Sequence, residues 1–197
     1  LSKRELSAEI AAVLGFSALQ NGDKVGLLVF AGEPVMFVPP GKGTRHLLRM
    51  IREILMARPE NQGTSIEAAC NFLIRSLKRK ALVFMISDFH ADALDKPLGK
   101  LARKHETVAL RVNDPLEEEL PKAGKVVLVD PETGFETLVN TNNANLRMGY
   151  RKLMRRQAEG AASVFKKHGI DEATLSTDRD TLPALHGLLK RRGRRRK

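Results

Sequence analysis

The run Ala81-Leu82-Val83-Phe84-Met85-Ile86-Ser87-Asp88-Phe89 is apolar up to Ile86 and then meets a carboxylate. It is too short for a buried helix and rich in branched and aromatic side chains, which predicts a strand covered on both faces. Strands of this kind belong to the parallel sheets of α/β folds. Ligands in such folds collect at the carboxyl ends of the strands, where the chain leaves the core. Asp88 stands at that position and is the first candidate binding residue.

The rest of the chain supplies helices to cover such a strand. Leu6, Ile10, Val13 and Leu14 recur at helical spacing between about Lys3 and Gln20, and Asn21-Gly22 ends the helix. Val25-Gly26-Leu27-Leu28-Val29-Phe30 is a second apolar strand. Gly32-Glu33-Pro34 turns it back into Val35-Met36-Phe37-Val38, which Pro39-Pro40 is expected to end. Gly41-Lys42-Gly43-Thr44 opens a helix whose inward face reads Leu47, Leu48, Ile51, Ile54 and Leu55, with Pro59 as its stop. Gly63-Thr64-Ser65 introduces a third helix with Ile66, Ala69, Cys70, Leu73 and Leu77 on one side, Thr64 or Ser65 being a natural N-cap.

After Asp88 a helix is predicted from about Ala91 to Lys104, then a strand over Thr107–Val112 and the acid-bearing turn Asn113-Asp114-Pro115-Leu116-Glu117. Lys125–Asp130 and Phe135–Val139 read as a hairpin joined by Pro131-Glu132-Thr133-Gly134. A long basic helix runs from about Asn145 to His168, followed by a short strand over Ala173–Thr177 and a closing helix from Asp180 to about Leu189. Helices alternating with buried strands predict one domain over residues 1–189, an α/β fold with a doubly wound, mainly parallel sheet and antiparallel hairpins at its edges.

At 197 residues and 42% hydrophobic, the chain can bury one sizeable core. No apolar run reaches the roughly 18 residues that span a bilayer, and Leu1-Ser2-Lys3-Arg4-Glu5 is followed by no signal-peptide h-region. One cysteine, Cys70, fits a reducing, cytoplasmic setting and reads as a small buried hydrophobe. The net charge of +11 suggests polyanions, yet seven cations and no acid lie in Lys190–Lys197, which reads as a solvated basic tail. Without that tail the charge is +4, ordinary for a soluble domain. The first residue is Leu1 rather than an initiator Met, as in a fragment or a processed chain.

Several familiar chemistries lack their residues. Gly41-Lys42-Gly43-Thr44 has no Walker spacing and follows a hairpin, so it reads as a turn and helix cap. No Gly-x-Ser-x-Gly and no zinc-spaced Cys/His cluster occurs. Of the five histidines only His90 falls in a candidate site loop, two residues past Asp88. Thr64 at a helix start and Asp88 at a strand end bring a hydroxyl and a carboxylate toward one sheet edge. That pairing suits a hard cation such as Mg²⁺, which takes oxygen ligands. An N-cap beside a loop carboxylate accounts for the same spacing.

The order of these motifs resembles the domain of unknown function 58 family, a branch of the von Willebrand factor A-like fold. Asn21-Gly22-Asp23-Lys24-Val25-Gly26-Leu27-Leu28-Val29-Phe30 is similar to that family's second-strand signature. Gly63-Thr64, Ile86-Ser87-Asp88-Phe89, Asn113-Asp114-Pro115-Leu116-Glu117, Asp130-Pro131-Glu132-Thr133-Gly134 and Tyr150-Arg151 follow in the family's order. The resemblance implies a metal-ion-dependent adhesion site at the carboxyl edge of the sheet, with Mg²⁺ as the ion. Thr64 and Asp88 would be metal residues, with Ser65 and His90 as neighbours in the binding site. A partner's acidic side chain completes the shell in such domains, so the site binds rather than turns over. The resemblance also implies a MoxR-type AAA+ ATPase as partner in complex assembly.

This sequence departs from the family in one respect: it contains no Asp-x-Ser-x-Ser, the loop that follows the family's central first strand and supplies most ligands. The metal site is therefore expected to be incomplete, and the sheet to lack its middle strand. A second copy, a swapped element or a closed-up sheet would then have to cover the open edges.

The leading expectation is thus a non-enzymatic protein-binding module. A second is nucleic-acid binding through the basic helix (Arg147, Arg151, Lys152, Arg155, Arg156, Lys166, Lys167) and the tail. A third is a Mg²⁺-dependent hydrolase using Asp88.

Overall fold

A computed structural model describes residues 1–57, 65–91, 93–129 and 135–195. Pro59, Thr64 and the Pro131-Glu132-Thr133-Gly134 turn lie outside the described residues.

Helix α1 (Lys3–Gln20) begins with a capping box: the Ser2 side chain accepts from the Glu5 amide, and the Glu5 carboxylate accepts from the Ser2 amide. Two amides that a helix start leaves orphaned are satisfied reciprocally. Strands β1 (Val25–Phe30) and β2 (Pro34–Gly41) form an antiparallel hairpin. Contrary to expectation, Pro39 and Pro40 do not end β2. The register shifts where they sit, between Val25↔Gly41 and Leu27↔Val38. An edge strand with a bulge is the setting that tolerates residues lacking an N–H.

Helix α2 (Thr44–Met56) buries Leu47 and Met50, whereas Leu48 and Leu55, expected on the inward face, are exposed. The buried stripe is narrower because α2 packs mainly on α1. That approach is close: a Cβ on Gly15 would lie 2.3 Å from Leu47 Cδ1.

The central layer is parallel. β3 (Leu82–Ser87) pairs with β4 (Glu106–Asn113), and β4 with β7 (Asp171–Ser176). Helices cover both of its faces. Ile66 and Cys70 of α3 (Ile66–Ser76), Leu98 and Leu101 of α4 (Asp95–Lys104) and Phe165 of α6 (Ala144–Lys167) pack against Met85 and Ala109. On the opposite side Leu6 and Ile10 of α1 and Leu185 and Leu188 of α7 (Leu182–Arg195) pack against Val108, Leu110 and Val112. The alternation along β4 thus sends neighbouring side chains into two cores.

Among the described residues the expected single sheet is not formed. β1–β2 and a second hairpin, β5 (Lys125–Val129) with β6 (Glu136–Asn140), each make a ladder separate from the parallel sheet. No ladder joins β1 to β3 among the described residues. Boundaries also move. α4 starts at Asp95 rather than Ala91, after Ala93 adopts a left-handed φ of 60°, and β7 starts at Asp171 rather than Ala173.

The basic stretch from Lys190 is not a free tail, because α7 carries it on to Arg195. Arg192 is only 9% exposed and donates to Asp171 Oδ2 at 2.5 Å and to Glu106. A guanidinium that bridges the starts of two strands has left the surface. Among the described residues no helix is long and apolar enough to cross a membrane.

Candidate functional site

β3 delivers Asp88 to the carboxyl edge of the parallel sheet, and the next residue fixes the loop. Phe89 is left-handed, with φ 58°, and its ring is buried edge-on to Phe165 at a centroid distance of 4.9 Å. That conformation costs a non-glycine residue about 1–2 kcal/mol, which burial of the ring offsets. Ser87 Oγ accepts from the Phe89 amide at 3.1 Å, and Asp88 Oδ1 accepts from the His90 amide at 3.3 Å. The carboxylate is oriented by its own loop.

The other oxygen, Oδ2, accepts from Lys3 Nζ at 3.0 Å. The same ammonium bonds the Glu117 carboxylate, and Tyr150 donates its hydroxyl to the Glu117 carbonyl oxygen at 2.8 Å. Lys3 in the first turn of α1 therefore joins the end of β3 to α5 (Pro115–Glu118), and α6 closes the corner. Burial would push the Asp88 carboxyl up, but the charge and hydrogen bond of Lys3 outweigh it and hold Asp88 below the usual carboxylate range. Burial likewise opposes the Lys3 charge, yet the bond to Glu117 and the charge of Asp88 prevail and raise it.

Thr64 lies outside the described residues. Ser65 caps α3, its hydroxyl accepting from the Ala68 amide at 3.1 Å, and its own amide donates to Ala31 O at 2.8 Å. His90 takes part through its backbone amide, and the residue is exposed. Asp114 serves its loop, accepting from the Leu116 amide at 3.0 Å as the cap of α5.

The sequence reading missed Lys3 and Glu117. A lysine in the first turn of a helix opposes the macrodipole, which was a signal that an acid stands nearby.

As they stand, these groups do not suit a divalent ion. Mg²⁺ demands near-octahedral oxygen ligation, whereas Asp88 already serves an ammonium. Among the described residues no group of three or more His, Cys, Asp or Glu could hold a metal.

Two other chemical groups are accounted for. Cys70 is fully buried, and that burial, followed by the charge of Glu67, pushes its thiol up to about 12. It is no nucleophile. At the amino edge of the sheet a polar cavity of about 330 Å³ is lined by Lys80, His105, Glu106, His168, Asp171 and Arg192, among others. His105 Nδ1 accepts from the Ala81 amide at 3.3 Å, while its buried Nε2 has no partner among the described residues.

The basic helix is partly engaged within the chain. Arg147 donates to Thr141 O at 2.5 Å, Arg151 pairs with Glu119, Arg155 with Glu159, and Lys167 with Asp95. Lys152, Arg156 and Lys166 form no ion pair among the described residues.

Residues 1–160 match the sequence profile of a family described as "Protein of unknown function DUF58". The chain is 31% identical over 183 residues to the uncharacterized protein Rv1480 of Mycobacterium tuberculosis, a match covering 91% of this chain and 57% of that protein. It is 34% identical over 160 residues to the uncharacterized protein MAV169 of Mycobacterium avium, covering 79% of this chain and 94% of that one. The chain thus spans little more than half the length of the Mycobacterium tuberculosis relative. In fold it is similar to the crystal structure of the conserved hypothetical protein BatB from Bacteroides thetaiotaomicron. That match has a TM-score of 0.54 and 18% identity, and covers 96% of this chain and 89% of that one.

Proposed function

The chain belongs to the DUF58 family, and on that premise we propose that it is a non-enzymatic protein-binding module of the von Willebrand A-like type. Its contact edge is the carboxyl end of β3 around Asp88, and its partner is a MoxR-type AAA+ ATPase engaged in complex assembly in a reducing, cytoplasmic setting.

One observation carries the reading. Asp88 is held by its own loop and by Lys3 at the strand end where ligands of such sheets collect. The carboxylate is partly exposed, so a partner's cation can compete with Lys3 for it. Mg²⁺ enters this reading only with Lys3 displaced and with ligands added from Thr64 and from outside the described residues. The separation of β1 from β3 supports the finer fold assignment, since one further parallel strand, from this protein or from a second copy, would join the two ladders.

The reading is tested by titrating the purified ATPase against the protein and its Asp88→Ala variant, with Mg²⁺ and with EDTA. Binding that weakens about tenfold in the variant supports it. Equal binding by both proteins sinks the assignment of Asp88, and turnover of a phosphate ester that Asp88→Ala abolishes sinks the non-enzymatic class.

A further inference from the structure

Between Ala144 and Gly160 no residue of α6 is buried, whereas Ala161 and Phe165 beyond it are. Gly149, Leu153, Arg156 and Gly160 follow at spacings of four, three and four, so they share one face. Lys152 borders this face beside Leu153, which is 52% exposed, and Met148, 61% exposed, lies one turn before Lys152 at its edge.

Glycine is, after proline, the poorest residue for a helix interior, and at Gly15 of α1 and Gly99 of α4 its use has an internal reason. A Cβ on Gly15 would lie 2.3 Å from Leu47, and one on Gly99 would lie 2.5 Å from His168. At Gly149 and Gly160 a Cβ would meet nothing within 4 Å. The room these glycines leave opens outward. Lys152 and Arg156, which have no ion-pair partner among the described residues, stand at i, i+4 beside the glycines and repel one another. A helix that carries both burdens on one exposed face is relieved by a partner that comes close and is acidic.

We propose that this face of α6 docks an acidic helical segment of a protein. Its backbone approaches over Gly149 and Gly160, its apolar side chains cover Leu153 and Met148, and its carboxylates meet Lys152 and Arg156. A nucleic acid would satisfy the cations but would leave Leu153 and Met148 wet and gain nothing from the glycines. A second copy presenting the same face would set like charges against each other. The surface is separate from Asp88, and the proposal does not depend on the reading of that residue.

The probes are a labelled amphipathic peptide of about five helical turns with glutamates around a leucine stripe, its lysine counterpart, and a random-sequence DNA duplex. Fluorescence anisotropy at physiological salt is expected to show the acidic peptide binding at least about tenfold tighter than the basic one. Gly149→Leu with Gly160→Leu, which the open space tolerates, is expected to lower that affinity about tenfold and leave the duplex unaffected. Gly149→Ala with Gly160→Ala is expected to raise the melting temperature by about 5 °C while weakening the peptide. The proposal is overturned by equal or absent binding of the two peptides. It is overturned equally by a leucine pair without effect, or by a duplex that binds tightest and depends on the same face.

Discussion

Lys3 Nζ stands 3.0 Å from Asp88 Oδ2, so the first turn of α1 is fastened to the end of the strand it packs beside. Both side chains are about one-third exposed or less, which places the pair between surface and buried behaviour. A double-mutant cycle with Lys3→Met and Asp88→Asn, read by urea unfolding, is expected to give a coupling of about 1 kcal/mol. A coupling near zero would remove Lys3 from the site. The pH dependence has two limbs. Asp88 is depressed, so its share of stability is present above the usual carboxylate range and is lost as pH falls through its lowered pKa. Lys3 is raised, so its share is present below 10.5 and is lost as pH rises through its raised pKa.

Buried His105 is depressed by burial, with a smaller push from Lys104, so the folded state prefers the neutral ring. The unfolded chain takes up a proton near 6.5 that the folded chain refuses until lower pH. Stability should therefore fall as pH drops below that value and be indifferent to this group above it. Urea midpoints between pH 7 and 5 should decline less steeply in His105→Gln, and an unchanged slope would refute the assignment.

Arg192→Leu removes the guanidinium that two strand-start carboxylates share and should destabilise by about 2–3 kcal/mol. Deleting the last eight residues removes Arg192 as well. Such a truncation therefore confounds lost polyanion binding with lost stability, and charge-reversing Lys190 alone is the cleaner probe. Thermal melts of Arg192→Leu that match wild type would exclude the ion pair.

Phe89→Ala should cost about 3–4 kcal/mol for the ring lost beside Phe165. Phe89→Gly should cost about 1 kcal/mol less than the alanine, because glycine adopts φ 58° without strain. That order is the reverse of the one expected in a strand or helix interior. Chemical denaturation of the two variants decides it, and an alanine variant more stable than the glycine would contradict the left-handed turn.

Cys70, with its thiol pushed up to about 12, should resist disulfide reagents in the native state. Labelling should appear only with unfolding and follow the same denaturant curve.

Much of this was legible in the chain. The periods of α1 and β4, the capping turn at Ser65 and the position of Asp88 at a strand end all follow from local patterns, and the structure carries them. What was illegible depends on partners remote in sequence. Leu48 and Leu55 fit an inward stripe, but only the placement of α2 on α1 decides that Leu47 and Met50 are covered. Arg192 reads as one cation in a run, because Glu106 and Asp171 lie 86 and 21 residues away. Lys3 and Asp88 are 85 residues apart, and no spacing rule links them. The grouping of strands into separate ladders is a property of edges, which alternation along a single strand does not encode.

The interruption between β1 and β3 has a mechanical side. Within a sheet, force passes from strand to strand through a ladder of backbone hydrogen bonds, whereas across this interruption it passes mostly through side chains. The transmitting contacts are α1, which touches both β1 and β4, the Phe37–Phe72 ring pair at 5.1 Å and the Ser65 amide on Ala31. A load applied to the β1–β2 hairpin would thus be carried by greased contacts and would yield there first. The parallel sheet and its Asp88 corner would stay intact while the hairpin shifted.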